Sequence, residues 1–131
     1  MRIAQFAAAT VALTAAAVVA TTGTASAAVE PPGDGWDHTF KASGVVVYVE
    51  ENGDRISICD TAANGKRAQL DVWIGSDPIY SSVVTKGKGS CVTHSASQGG
   101  KYNLPEGKQI VLAFFGNGYD YRAEESFVND H

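Results

Sequence analysis

The feature that most limits the fold is the rhythm of the chain beyond residue 38, where short β-branched, aromatic or alternating runs are each cut off by a glycine-bearing turn. A helix needs apolar residues at three- and four-residue spacing sustained over several turns, and no stretch there keeps that period. Val45, Val46, Val47, Tyr48 and Val49 form one run, and Arg55 to Cys59 alternates strictly. Between them lies Glu51-Asn52-Gly53-Asp54. Its Asn-Gly pair suits the positive φ angles of a type I′ turn, so the two runs read as a hairpin. In the next run, Ala68 to Ile74, residues Ala68, Leu70, Val72 and Ile74 share one face while Gln69, Asp71 and Trp73 share the other. Ile79 to Thr85 follows Asp77-Pro78, and Lys86-Gly87-Lys88-Gly89 turns the chain into Ser90 to His94. A loop holding Gln98-Gly99-Gly100 and a turn at Leu104-Pro105-Glu106-Gly107 lead to Gln109 to Phe115, the most apolar run and the expected central strand. Gly116-Asn117-Gly118 then turns into a last strand from Tyr119 to Phe127. About seven short strands at regular spacing predict an all-β domain, a small antiparallel β-sandwich, with a small closed β-barrel as the alternative.

Ahead of this body, Met1-Arg2 precedes an almost uncharged run from Ile3 to Ala20 and a small, polar stretch ending in Ala25-Ser26-Ala27. That order predicts a secretory signal peptide over residues 1–27 and a soluble, extracellular product starting at Ala28. A transmembrane helix would need about 20 strongly apolar residues, and this run is built largely of alanine and threonine. No cysteine stands near the cleavage site to carry a lipid. Residues 28–38 hold Pro31, Pro32, Gly33 and Gly35 and read as a flexible leader, leaving 39–131 as a single β domain. A domain of that size buries a usable core but stays marginal. Its two cysteines, Cys59 and Cys91, are expected to pair in an oxidising compartment. Closing that loop stabilises a fold by about 3–4 kcal/mol in the chain-entropy description.

Charge and motifs exclude more than they assign. Arg2 leaves with the signal, so nine of the 10 basic residues stand against 14 acidic ones. A mildly acidic domain is poorly suited to nucleic acid or to an anionic membrane surface. No G-x-S-x-G elbow occurs, and Ser90 and His94 share a strand face at a separation beyond direct contact. Cys91 and His94 make a thiol–imidazole pair only if the thiol is free. His38, His94 and His131 lack zinc-site spacing. The clusters Asp34, Asp37, His38 and Glu50, Glu51, Asp54 do not complete a calcium register and read as solvated turn acids. Gly87-Lys88-Gly89-Ser90 has no helix behind it and reads as a turn. Neither catalytic residues nor a metal or cofactor are predicted. Aromatics are the one feature that suggests recognition, since they dominate interface energetics. Trp36, Trp73, Tyr80, Tyr102, Tyr119 and Tyr121 are numerous for a small domain, and Trp73 lies off its strand's apolar face. Trp73, Tyr119 and Tyr121 are therefore the candidate binding patch.

Ile58-Cys59-Asp60-Thr61-Ala62-Ala63-Asn64-Gly65-Lys66-Arg67-Ala68, Gly87-Lys88-Gly89-Ser90-Cys91 and Leu104-Pro105-Glu106-Gly107-Lys108 together resemble a pattern of small secreted, disulfide-containing β-rich proteins of actinobacteria. The resemblance spans most of the chain after the signal but rests on turn and disulfide chemistry, and it carries over no catalytic residue. Many proteins of that kind have a second cysteine pair around the last strands. Phe114 and Phe115 stand there in this chain, which implies a C-terminal edge held by packing alone. The expected function is that of a non-enzymatic extracellular module. It would bind a protein such as a secreted hydrolase, in the manner of an inhibitor scaffold, or a carbohydrate or cell-wall glycan through the aromatics. A small hydrolase built from Asp60, Asp71 and Glu50 is the remaining alternative.

Overall fold

The computed structural model describes residues 35–131, so the expected signal peptide, 1–27, and residues 28–34 of the expected leader lie outside the described residues. The described residues form eight strands: β1 His38–Ala42, β2 Val45–Glu50, β3 Arg55–Asp60, β4 Ala68–Ile74, β5 Asp77–Val84, β6 Cys91–His94, β7 Gln109–Phe115 and β8 Ala123–Val128. They make two antiparallel four-stranded sheets, ordered β1-β2-β3-β6 and β5-β4-β7-β8. Neither closes into a barrel, so the architecture is the sandwich and not its alternative. β7 lies inside its sheet, paired with β4 on one side and β8 on the other, as its apolar run implied.

Alternation decides what each layer buries. Val45, Val47 and Val49 of β2 and Ile56 and Ile58 of β3 face Ala68, Leu70 and Val72 of β4 and Ile110, Leu112 and Phe114 of β7, all in one core cluster. Each large aliphatic or aromatic side chain so buried contributes about 1.5–3 kcal/mol. β1 has no counterpart in the sequence reading because Lys41 interrupts an already short run. It nonetheless alternates, with Phe40 and Ala42 packed on the core and Thr39 and Lys41 exposed. His38, assigned to the leader by composition, opens β1, and its ring lies 5.3 Å from that of Phe127 on β8.

Cys59 and Cys91 are bonded, at an S–S distance of 2.03 Å. They are directly opposed in the β3–β6 register. Their sulfurs lie on the outer face of the first sheet, where Cys59 packs with Val46, Tyr48 and Trp36. The staple thus joins two strands of one layer, not the two layers to each other.

Two turns depart from expectation. The β2–β3 hairpin forms, but its connection is the four residues 51–54, with positive φ at Gly53 and Asp54. A type I′ turn would need it at Asn52 and Gly53. Asp54 takes the left-handed conformation, and its carboxylate is buried, 5 % exposed, where it accepts the Leu104 N–H at 2.8 Å and Asn129 Nδ2 at 2.9 Å. The last strand starts later than the sequence implied, because Tyr119–Tyr121 forms a 3-10 turn and β8 begins at Ala123.

The loops alternate between two ends of the sandwich. Residues 43–44, 61–67, 85–90 and 116–122 gather at one end, and the hairpin turn 51–54, the turn 75–76 and the connection 95–108 at the other. At the first end Gly44 and Gly116 meet backbone to backbone, since a Cβ on either would collide with the other's carbonyl. Asn64 caps that contact by donating Nδ2 to the Gly116 carbonyl at 2.8 Å.

Candidate functional site

The outer face of the β5-β4-β7-β8 sheet carries the candidate site. Register builds it row by row. Asp71, Ala113 and Glu124 are aligned across β4, β7 and β8, and the next row sets Trp73 beside Val111 and Ser126. Ala113 is the small member of its row, so two carboxylates about 10 Å apart, two strand spacings, flank a gap. That gap is a hollow of about 380 Å³ lined by Asp71, Trp73, Val111, Ala113, Tyr119, Arg122 and Glu124, among others.

Each wall is held by its neighbours. Trp73 sits at a bulge where the β4–β5 pairing shifts between Val72 and Trp73, a feature that re-aims side chains. Asp71 Oδ1 accepts the Ser81 hydroxyl at 2.6 Å and Gln69 Nε2 at 3.2 Å, which holds the carboxylate in place beside the hollow. Gly118, at φ +86°, starts the 3-10 turn that lifts Tyr119 over the sheet. The Tyr119 ring meets Phe115 edge to face at 5.7 Å. The Arg122 guanidinium lies 4.8 Å from the Tyr119 ring centroid, donates to its hydroxyl and stands 3.8 Å from Glu124. The result is an aromatic wall with a cation and two carboxylates within reach of the same space.

Of the predicted patch, the structure brings Trp73 and Tyr119 together. Tyr119 remains 62 % exposed and Tyr121 58 %, the two most open large apolar side chains among the described residues. Tyr121 does not line the hollow. The other aromatics pack. Trp36 lies against Tyr48 at 5.6 Å, with the Arg55 guanidinium over its ring. Tyr80, Tyr102 and His94 form a stack at the β5–β6 side, with His94 and Tyr102 parallel at 4.3 Å. Burial pushes the Tyr80 phenol well above its ordinary range, and the neighbouring Tyr102 and Asp54 add to the effect.

The carboxylates of the hydrolase alternative do not converge. Glu50 pairs with Arg55 at 2.8 Å, Asp60 is buried at the opposite end, and Asp71 belongs to the outer face just described. The turn acids have protein partners as well: Glu51 meets His38 Nε2 at 2.7 Å, and Asp37 accepts the Glu51 N–H at 2.8 Å. Asp34 lies outside the described residues.

Sequence reasoning missed Ala113, Arg122 and Glu124. The alternation of β7 does place Val111, Ala113 and Phe115 off the apolar face, but which residues stand beside them is fixed by register, and register depends on where the 3-10 turn ends. No family model matches this chain, and no curated protein matches it.

Proposed function

We propose that this chain is an extracellular, non-enzymatic binding domain that holds a saccharide on the outer face of its second sheet. The carrying observation is the hollow between Trp73 and Tyr119, with Asp71, Glu124 and Arg122 on its rim. A sugar ring offers an apolar face that stacks on aromatics and a belt of hydroxyls that seek charged hydrogen-bond partners, and the lining of this one hollow supplies both. A protein-binding inhibitor would favour a protruding loop. The long connection 95–108 instead folds into two 3-10 turns and is drawn down by Leu104, which is 3 % exposed. Export is supported by the signal-like N-terminus, and the Cys59–Cys91 bond is compatible with it. Among the described residues no helix is long and apolar enough to cross a membrane.

Trp73→Ala is expected to weaken glycan binding by at least about tenfold, the scale of a central aromatic anchor, while leaving the fold intact because the ring points away from the core. Ala113→Leu, which fills the hollow without removing an aromatic, should do the same. Titration by intrinsic fluorescence provides the readout: the native protein should respond to bound glycan and Trp73→Phe, which retains Trp36, should not. A glycan array on which both variants bind as the native protein does would end this reading; binding to a protein but to no glycan would favour the inhibitor-like alternative.

A further inference from the structure

The mean charge of the chain hides its distribution. At the end where Gly44 meets Gly116, Lys66, Arg67 and Lys88 are exposed and line a hollow of about 430 Å³ between the loops 61–67 and 85–90. The opposite end gathers Asp37, Glu51, Asp54, Glu106 and Asp130, with Lys101 and Lys108 among them. None of the three cations takes part in an ion pair among the described residues, where the charge pairs are His38–Glu51, Arg55–Glu50 and Arg122–Glu124. The acid on the wall of the hollow is Asp60, which is 1 % exposed and accepts the Ala62 N–H at 3.1 Å. It shapes the loop and leaves the rim positive.

This rim is continuous with the saccharide face. Lys66 and Arg67 also line an adjoining hollow of about 320 Å³ with Gln69, Phe115 and Gly118. A Cβ on Gly118 would lie 3.4 Å from the Lys66 ammonium, so that cation rests over the turn leading into Tyr119. Phe115 touches Tyr119, and Gln69 donates to Asp71. A track therefore runs from the Trp73 hollow, past Phe115, to Lys66, Arg67 and Lys88. We infer that its occupant is an anionic glycan, a saccharide chain carrying phosphate or carboxylate groups, whose sugar stacks on Trp73 and Tyr119 while its charge meets Lys66, Arg67 and Lys88. This rests on the saccharide reading above and adds the substrate class. Cations with no ion pair among the described residues of an acidic domain keep a local potential that attracts anions despite the net charge.

The test measures binding of the purified protein to two matched pairs on a biosensor: phosphomannan against its dephosphorylated mannan, and polygalacturonate against its methyl ester. At low salt at least one anionic member should bind about tenfold more tightly than its neutral partner, the advantage expected from several screened contacts. The advantage should vanish in Lys66→Ala/Arg67→Ala/Lys88→Ala and shrink with added salt, and it should survive Lys108→Ala at the other end. Which pair shows it identifies the anion. Equal binding within both pairs, or an advantage that persists in the triple variant, overturns the inference. Neutral glycan held through Trp73 with no gain from charge defeats this inference and leaves the saccharide face standing. A charge advantage untouched by Trp73→Ala defeats the saccharide face and, with it, the track. Duplex DNA bound as tightly as the anionic glycan overturns the choice of a glycan.

Discussion

Asp54→Ala is expected to lower the stability of the domain by about 3–5 kcal/mol, which for a domain of this size is a fall of roughly 15–30 °C in Tm. The carboxylate is the acceptor for two groups brought from far along the chain, the Leu104 N–H and the Asn129 side-chain amide. Asn129 is fully buried, and without Asp54 its Nδ2 keeps only the longer contacts to the Leu104 and Pro105 carbonyls, at 3.4 and 3.3 Å. Each buried donor left without a partner costs about 1–3 kcal/mol. The left-handed backbone at Asp54, φ +53°, adds to this, since alanine tolerates that conformation less well than aspartate. Asp54→Asn separates the two contributions. It keeps the backbone tolerance and one acceptor but turns a donor toward donors, so it should fall between the native protein and Asp54→Ala. Urea unfolding at neutral pH gives the measurement, and a loss below about 1 kcal/mol for the alanine variant would show that the latch is not what fastens this end.

Cutting the Cys59–Cys91 bond, by reductant or by paired alanine substitution, should remove about 3–4 kcal/mol, because the sequence separation of 32 residues sets how much freedom the unfolded chain regains. Where the loss first shows follows from the position of the bond. β6 is four residues long and, among the described residues, pairs only with β3, so in the reduced protein its amides should lose hydrogen-exchange protection well before those of β4 and β7. Simultaneous loss of protection in both sheets, or no change in urea midpoint on reduction, would contradict this.

What the sequence could reveal follows from the range of the interactions involved. β4 was legible to the residue, and with it the outward position of Trp73, because a period of two needs only neighbouring positions. The same holds for β7 as an inner strand. The pairing of Cys59 with Cys91 followed from their being the two cysteines of the chain, but their lying in one layer could not be read, since it depends on β6 joining β3 and not the other sheet. β1 was hidden by its charged and polar outer face. The turn at 51–54 was misassigned for a different reason: its shape is set by Asn129, 75 residues away, and local turn preference yields to a buried carboxylate that has a partner. Likewise Tyr119–Tyr121 looks like a strand by composition, and Ala113, Arg122 and Glu124 become neighbours only once the 3-10 turn sets where β8 starts.

The meeting of Gly44 with Gly116 governs how this molecule can breathe. With main chain resting on main chain at one rim, and the Asp54–Asn129 bond tying the other, sliding of one layer over its neighbour is opposed at both ends. Excursions must instead part the layers along their long margins, beside the ring stack of Tyr80, Tyr102 and His94 or beside His38 and Phe127. β4 and β7 are paired along six residues, so the outward surface that carries Trp73 is expected to keep its contour in either motion, which equal hydrogen-exchange protection of the two strands would show.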